Sequence, residues 1–317
     1  MALSHDPLWP RAGNWPTPFP ESTPLPELVE GRATKRLDLA LLGIPTWRTS
    51  ITPGGAGTTP AAVRKALNYY SEFWPLDRSA SRPPDEHALR AEDWGDAEEP
   101  DGTEGESRAI AAAAAAARTA TLLVVLGGDN AATVPAALGT WGDRISTAGL
   151  VTVDAHHDLR DGISNGSPVR RLVEAGLDGR RVVQIGIADF ANSAEYARRA
   201  ADYGITVIHR DELSRRPMAD AMAEGLEIAG SAGGPIHVDL DVDVCDRSVV
   251  PACPAALPGG ISAYELRAAA RVAGSQRLVE SVDLTEVDAS TDTQDGRTVR
   301  LVALCVLELA AAVRMRQ

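Results

Sequence analysis

Acidic and imidazole side chains recur at a spacing of two residues in two short stretches of this chain. Asp154, His156 and Asp158 alternate in the first stretch, and Asp239 and Asp241 alternate in the second. Because alternate side chains of an extended chain share one face, each stretch presents its polar groups together. If the two stretches are neighbours, four carboxylates meet. Such a cluster stays ionised and partly buried only beside cations.

A divalent metal ion is the cation that this set of side chains favours. Carboxylates in excess, together with an imidazole, suit Mn²⁺ better than the thiolate-rich sets that select zinc. The number of acids favours two ions that share carboxylates. The alternative is that these side chains cap helices or line solvated loops. The sequence predicts a metal centre.

Short apolar runs alternate with helix-period segments along most of the chain. Runs that are apolar on both faces are typical of a parallel sheet covered by helices. The predicted strands are 37–44, 121–126, 149–153, 181–187, 205–209, 236–240 and 278–284. The predicted helices are 60–70, 107–119, 169–175, 193–203, 218–229, 263–272 and 299–315. This pattern predicts an α/β fold, a three-layer α/β/α sandwich with a mainly parallel central sheet.

The domain organisation is simple. Residues 1–36 are rich in Pro and Trp and are interpreted as an N-terminal extension packed on the domain. Residues 37–317 are interpreted as a single catalytic domain. Within it, the Pro-rich and acidic stretch 79–105 shows no clear period and is predicted to be a long surface loop.

The charge and the cysteines restrict partners and compartment. A formal net charge of −13 argues against nucleic acid or an anionic membrane as a partner. Three cysteines without a CxxC pair suit a reducing compartment. No secretory signal or membrane-spanning run is evident, so a cytoplasmic location is expected.

Four blocks at the ends of predicted strands resemble the signature blocks of the ureohydrolase (arginase/agmatinase) family. Sites in open α/β sheets form at these carboxyl ends. The resemblance implies an arginase-like fold, two Mn²⁺ ions and a trimer or hexamer, with Asp154, His156, Asp158, Asp239 and Asp241 as metal ligands. The blocks are Gly127-Gly128-Asp129-Asn130, Asp154-Ala155-His156-His157-Asp158, His237-Val238-Asp239-Leu240-Asp241 and Thr285-Glu286-Val287-Asp288.

Asn130 departs from the family pattern. The first block of the family normally ends in a histidine that binds the more exposed metal. An amide oxygen is a weaker ligand than an imidazole for such ions. Asn130 is therefore a weak or lost ligand position, and one metal is expected to bind weakly or to be absent.

Two further stretches are similar to the formimidoylglutamase branch of the family. Residues 154–160 read DAHHDLR, and residues 164–170 read SNGSPVR. A substrate with two carboxylates needs guanidinium groups, which bind carboxylates in a bidentate manner, and Arg160 and Arg170 are the candidates. Asn165 and Gly166 belong to a tight loop that brings backbone N–H groups close to a ligand. Arg48 is a further candidate for substrate contact.

The resulting hypothesis is hydrolysis of N-formimidoyl-L-glutamate to L-glutamate and formamide, a reaction of histidine degradation, by metal-bound hydroxide. Asp158 would hold the hydroxide and transfer a proton, and the resemblance places Glu286 on the amidinium. One alternative is a guanidino hydrolase that releases urea, such as an agmatinase, guanidinobutyrase or arginase. A second is a family member that has lost its metal and its catalytic activity.

Overall fold

A single parallel sheet forms the centre of the computed structural model, which describes residues 16–18, 36–71 and 89–316. In these ranges the sheet has nine strands in the order β1-β3-β2-β4-β9-β8-β5-β6-β7. The strands are β1 (Thr17–Pro18), β2 (Leu37–Ile44), β3 (Ala91–Asp96), β4 (Ala120–Gly127), β5 (Gly149–Val153), β6 (Val182–Ile187), β7 (Thr206–His209), β8 (Ile236–Asp241) and β9 (Val279–Thr285). Every paired strand is parallel to its neighbour.

Helices cover both faces of the sheet, because alternate apolar side chains of each strand point to opposite faces. In β2, Leu39 and Leu41 pack on one face, and Ala40 and Leu42 pack on the other. The first face is covered by α1 (Thr59–Leu67), α6 (Met218–Ala229), α7 (Ala263–Ser275) and α8 (Arg297–Val313). The second face is covered by α2 (Gly102–Thr119), α3 (Thr133–Trp141), α4 (Pro168–Glu174) and α5 (Ala194–Tyr203).

The predicted three-layer α/β/α class is confirmed, and all seven predicted strands and seven predicted helices are found within a few residues of their bounds. Helix α3 was not predicted, because Pro135 and Gly139 are poor helix formers and interrupt the pattern of apolar residues that indicates a helix. Pro135 lies in the first helical turn, where no intrahelical hydrogen bond is lost.

The prediction of a long surface loop over 79–105 is wrong for the part that the structure describes. Strand β3 and the start of α2 lie within it. Strand β3 reads AEDWGD, an acidic composition that suits a position near the edge of the sheet. Arg64 of α1 donates to Asp93 at 2.7 Å and to Asp96 at 2.5 Å, so the acidic side chains are paired.

The interpretation of 1–36 as an extension packed on the domain falls mostly outside the described residues, as do positions 72–88 of the chain. Among the helices that are described, none is both long and apolar enough to cross a bilayer.

Candidate metal centre and active site

The four sequence blocks come together because their strands are consecutive in the sheet. The order β4-β9-β8-β5 places Asn130, Glu286, Asp241 and Asp154 beyond four adjacent carboxyl ends. Strands β5 and β8 pair directly, which is the condition under which the two acidic stretches meet. Every carboxylate of the group is buried.

Asp154, His156 and Asp243 form the tightest group of candidate ligands. One ligand atom from each lies within 4.8 Å of the other two. His156 Nδ1 is 2.7 Å from Asp243 Oδ2 and 3.5 Å from Asp154 Oδ1. Burial by itself would lower the pKa of His156, but Asp243 and Asp154 outweigh it and raise the pKa to about 12. The space between Asp154 and Asp243 therefore strongly favours a positive charge.

Two further carboxylates, Asp158 and Asp241, line the same cavity as His156 and Asp243. Asp241 Oδ1 accepts a hydrogen bond of 2.8 Å from the backbone N–H of Asp243. Burial, followed by the charges of neighbouring acids, raises the pKa of Asp158 and of Asp241 well above the ordinary value. Asp158 also has a left-handed backbone with φ of +53°, a conformation that side-chain-bearing residues adopt rarely and often at functional sites.

Asp239, predicted as a ligand, is not brought into the cavity. It lies within β8, where it pairs in register with Thr152 of β5 and Asp283 of β9. Its Oδ1 is 3.3 Å from the hydroxyl of Thr285. The geometry therefore favours Asp241 and Asp243 as the ligand pair over the predicted Asp239 and Asp241.

Asn130 lies at the predicted position beside the acids, with its amide NH₂ rather than its oxygen turned towards them. Asn130 Nδ2 donates to Asp158 Oδ2 at 2.5 Å. Its Oδ1 accepts from the hydroxyl of Thr133 at 2.6 Å and lies 3.1 Å from the hydroxyl of Thr285. The oxygen that would bind a metal is thus occupied by hydroxyl groups.

Glu286 is held at the edge of the acidic cluster by two hydrogen bonds to one of its oxygens. Glu286 Oε1 accepts from the backbone N–H of Asn130 at 2.9 Å and from Asn165 Nδ2 at 2.6 Å. Asn165 Oδ1 in turn accepts from the backbone N–H of Ile51 at 3.0 Å. Burial, then the charge of Asp129, raises the pKa of Glu286 to about 8. Asn165 therefore ties the loop around 160–166 to the predicted amidinium-binding carboxylate.

A cavity of about 220 Å³ opens above the acids. Asn165, Gly166, Asn192 and Tyr196 form part of its wall. Among the described residues that line it, Arg160 is the one Lys or Arg side chain, and it is exposed. The arrangement gives a buried anionic floor and a cationic group nearer the solvent.

Gly166 makes room for the side chain of Arg160. A Cβ atom at position 166 would lie 2.6 Å from Arg160 Cδ and 2.9 Å from Arg160 Nε. The backbone N–H of Arg160 donates to the carbonyl of Gly166 at 2.9 Å. The predicted role of Gly166 in a close approach thus has a physical basis, with the arginine stem as the closest group.

Arg170, predicted as a second carboxylate-binding group, does not reach the cavity. Its guanidinium donates to the carbonyls of Arg160 and Gly162 and to the carboxylate of Glu174. Two of its hydrogen bonds support the 160–166 loop, and Arg170 is not part of the cavity lining, so the geometry favours a supporting role over the predicted substrate contact. Arg48 also lies outside the cavity lining, with its guanidinium 5.7 Å from the centre of the Trp47 ring.

Sequence reasoning missed Asp243, although the signal was present. Aspartates alternate at 239, 241 and 243, and alternation alone gives the three equal standing. The turn Val242–Val244 follows β8 directly, so Asp243 projects beyond the sheet where Asp239 does not.

Comparison with known proteins agrees with the geometry. The Arginase family model matches residues 37–312. Formimidoylglutamase of Halalkalibacterium halodurans is 32% identical over 283 residues, 86% of each chain. The solved structure of formimidoylglutamase from Bacillus subtilis superposes with a TM-score of 0.85 at 24% identity, covering 99% of this chain and 95% of that one. Trypanosoma cruzi formiminoglutamase with Mn²⁺ superposes with a TM-score of 0.78 at 23% identity, covering 92% and 99%. The predicted resemblance is confirmed: the chain belongs to the arginase family, as a hydrolase of C–N bonds in linear amidines.

Proposed function

We propose that this enzyme hydrolyses N-formimidoyl-L-glutamate to L-glutamate and formamide. The observation that carries the proposal is the charge distribution of the cavity, which has buried carboxylates at its floor and Arg160 nearer the solvent. A cationic amidine and an anionic tail match these two ends. The 32% identical formimidoylglutamase supports the same substrate.

The residues at the floor fit a divalent metal. Asp154 Oδ2 is buried and accepts no hydrogen bond from the described part of the chain. Asp154, His156 and Asp243 would hold one ion, and Asp158 and Asp241 would contribute to a second. Oxygen ligands in excess favour Mn²⁺, the ion named for the T. cruzi structure. We propose two Mn²⁺ sites, of which the one nearer Asn130 is the weaker.

Bound Mn²⁺ would supply an activated water as the nucleophile at neutral pH. The chain itself positions the reacting groups. Asp158 uses Oδ2 to accept from Asn130, which leaves Oδ1 free. Oδ1 would accept a proton from the attacking water and pass it to the departing amine nitrogen as the C–N bond breaks. Glu286 uses Oε1 for Asn130 and Asn165, which leaves Oε2 for the amidinium of the substrate.

Arg160 would bind the carboxylates of the glutamate portion. A guanidinium offers paired donors that match a carboxylate, and Arg160 is exposed within the cavity wall. Its guanidinium carbon lies 5.9 Å from the centre of the Tyr196 ring, which limits its range of positions. An agmatine tail is cationic and would meet this arginine unfavourably.

The test is product analysis. Mn²⁺-loaded enzyme is incubated with formimidoylglutamate and, separately, with arginine, agmatine and guanidinobutyrate, and glutamate plus formamide is assayed against urea. Formamide and glutamate are expected. Urea from a guanidino compound would replace the substrate assignment with the guanidino hydrolase alternative. Inactivity on all four with Mn²⁺ bound would point to an untested amidine or to a non-catalytic role.

A matched pair of variants controls the test. Asp243→Asn removes a candidate ligand and should abolish activity. Asp246→Asn lies in the same segment, but its carboxylate is exposed and accepts from Ser248 and Gly259, so activity should persist. The cytoplasmic location and the trimer or hexamer stay predictions.

A further inference from the structure

Arg210 lies behind the metal centre, outside the cavity lining, and is half-buried. It follows edge strand β7 and begins the turn Arg210–Ser214. Its Nε donates to the carbonyl of Gly186 at 3.3 Å, and one of its terminal nitrogens donates to the carbonyl of Val244 at 3.2 Å. One guanidinium therefore joins the end of β6 to the turn that carries Asp243.

The two carbonyls belong to segments that pack directly behind the candidate ligands. Gly186 has φ of +101°, and a Cβ there would lie 2.6 Å from Val244 Cγ2 and 3.3 Å from the carbonyl oxygen of Asp154. Gly186, Val244 and Asp154 are thus in close contact. Val244 is the residue after Asp243, so a contact that restrains the Val244 carbonyl also restrains the turn that carries Asp243.

The turn Val242–Val244 is held from two sides. At the front, Asp241 Oδ1 accepts from the backbone N–H of Asp243. At the back, the carbonyl of Val244 accepts from Arg210 and from the backbone N–H of Ile261 at 3.1 Å. We infer that Arg210 is a positioning residue, which fixes this turn so that Asp243 stays close enough to His156 and Asp154 for the three to share one metal ion. The inference rests on the metal centre of the proposed function.

The charge of Arg210 acts in the opposite direction from its hydrogen bonds. Burial lowers the pKa of Arg210, while the charges of Asp243 and Asp154 oppose that change. The guanidinium stays protonated and repels a metal ion, whereas its hydrogen bonds to the carbonyls of Gly186 and Val244 hold the ligands in place. Because the two effects differ in sign, variants can separate them.

The experiment measures the Kd of Mn²⁺ by isothermal titration calorimetry and the thermal stability of the chelator-treated enzyme. Arg210→Lys keeps the charge but cannot make both hydrogen bonds with one planar guanidinium, and Arg210→Met loses the charge and the hydrogen bonds. We expect both variants to raise the Kd by roughly tenfold or more, the effect typical of groups that orient metal ligands. The control is Arg215→Met, because Arg215 is mostly exposed and pairs with Asp211.

Three outcomes contradict the inference in different ways. If Arg210→Met binds Mn²⁺ more tightly and Arg210→Lys binds it like the wild type, only the charge matters. If both variants are less stable with an unchanged Kd, Arg210 only supports the fold. If the wild type itself binds no Mn²⁺, the proposed metal centre fails and this inference with it, whereas unchanged variants of a metal-binding wild type contradict the role of Arg210 alone.

Discussion

Strands β8 and β9 carry two buried acidic clusters, one above the other, that differ in what they face. The upper cluster, Asp241 with Asp243 and their neighbours, lines the cavity beyond the strand ends. The lower cluster, Asp239 with Asp283, lies inside the sheet. His237 Nε2 is 3.1 Å from Asp283 Oδ2, and its Nδ1 is 2.7 Å from the hydroxyl of Ser281.

The difference shows that the position of an acid relative to the strand end decides whether it can reach an ion or a substrate. Burial raises the pKa of Asp239, and Asp283, paired in register, raises it further. Asp239 Oδ2 and Asp283 Oδ1 accept no hydrogen bond from the described part of the chain, but neither residue lines the cavity. The upper acids face a cavity that an ion and a substrate can enter, so charge compensation there can come from outside the protein.

The largest expected effect comes from removing an acid of the upper cluster. Asp243→Ala should lower kcat/KM for formimidoylglutamate by more than roughly 100-fold, since it removes a ligand rather than a group that orients one. Steady-state kinetics and metal content by atomic emission measure the change. If the variant keeps full metal content and activity, Asp243 of the upper cluster is not a metal ligand.

Chelation should distinguish the two clusters through stability. At a free Mn²⁺ concentration 100 times its Kd, binding stabilises a folded protein by about 2.7 kcal/mol. Treatment with a chelator should therefore lower the Tm of the wild type and of Asp239→Asn, but not that of Asp243→Ala. A Tm that is insensitive to Mn²⁺ in the wild type would contradict metal binding by the upper cluster.

Arg160 should act on substrate binding alone. Arg160→Ala should raise KM for formimidoylglutamate by roughly tenfold, the value of a lost charge-assisted hydrogen bond, with kcat less affected. Arg180→Ala is the control, because Arg180 is exposed, pairs with Asp178 and does not line the cavity. If the two variants changed KM equally, the carboxylate would not be bound by Arg160 specifically.

The smallest effect is expected in the lower cluster. Asp239→Asn keeps a hydrogen-bonding group beside Asp283 and Thr285, and it should change the free energy of unfolding by about 1 kcal/mol or less, without altering the Kd of Mn²⁺. Denaturant titration and calorimetry test both points. A loss of Mn²⁺ binding comparable to that of Asp243→Ala would restore Asp239 as a ligand.

Part of the site was predictable because its pattern is local. Asp154, His156 and Asp158 follow one strand at a fixed spacing, and the structure places all three beside the cavity or behind its floor. Arg160 and Arg170 were both candidates for a carboxylate contact in the sequence, since both follow the metal motif. Their separation depends on a fold-specific contact, the bonds from Arg170 to the carbonyls of Arg160 and Gly162.

The sequence by itself determined the layers and the approximate strand ends, because a strand buried on both faces is mainly apolar and a cluster of polar residues most often follows its end. The tertiary structure decided which acids share a site. Alternation gives Asp239, Asp241 and Asp243 the same face. Only the register of β8 against β5 and β9 shows that Asp239 lies within the sheet, below the cavity that Asp241 and Asp243 line. Distances between strands are set by packing over the whole sheet, and no local spacing encodes them.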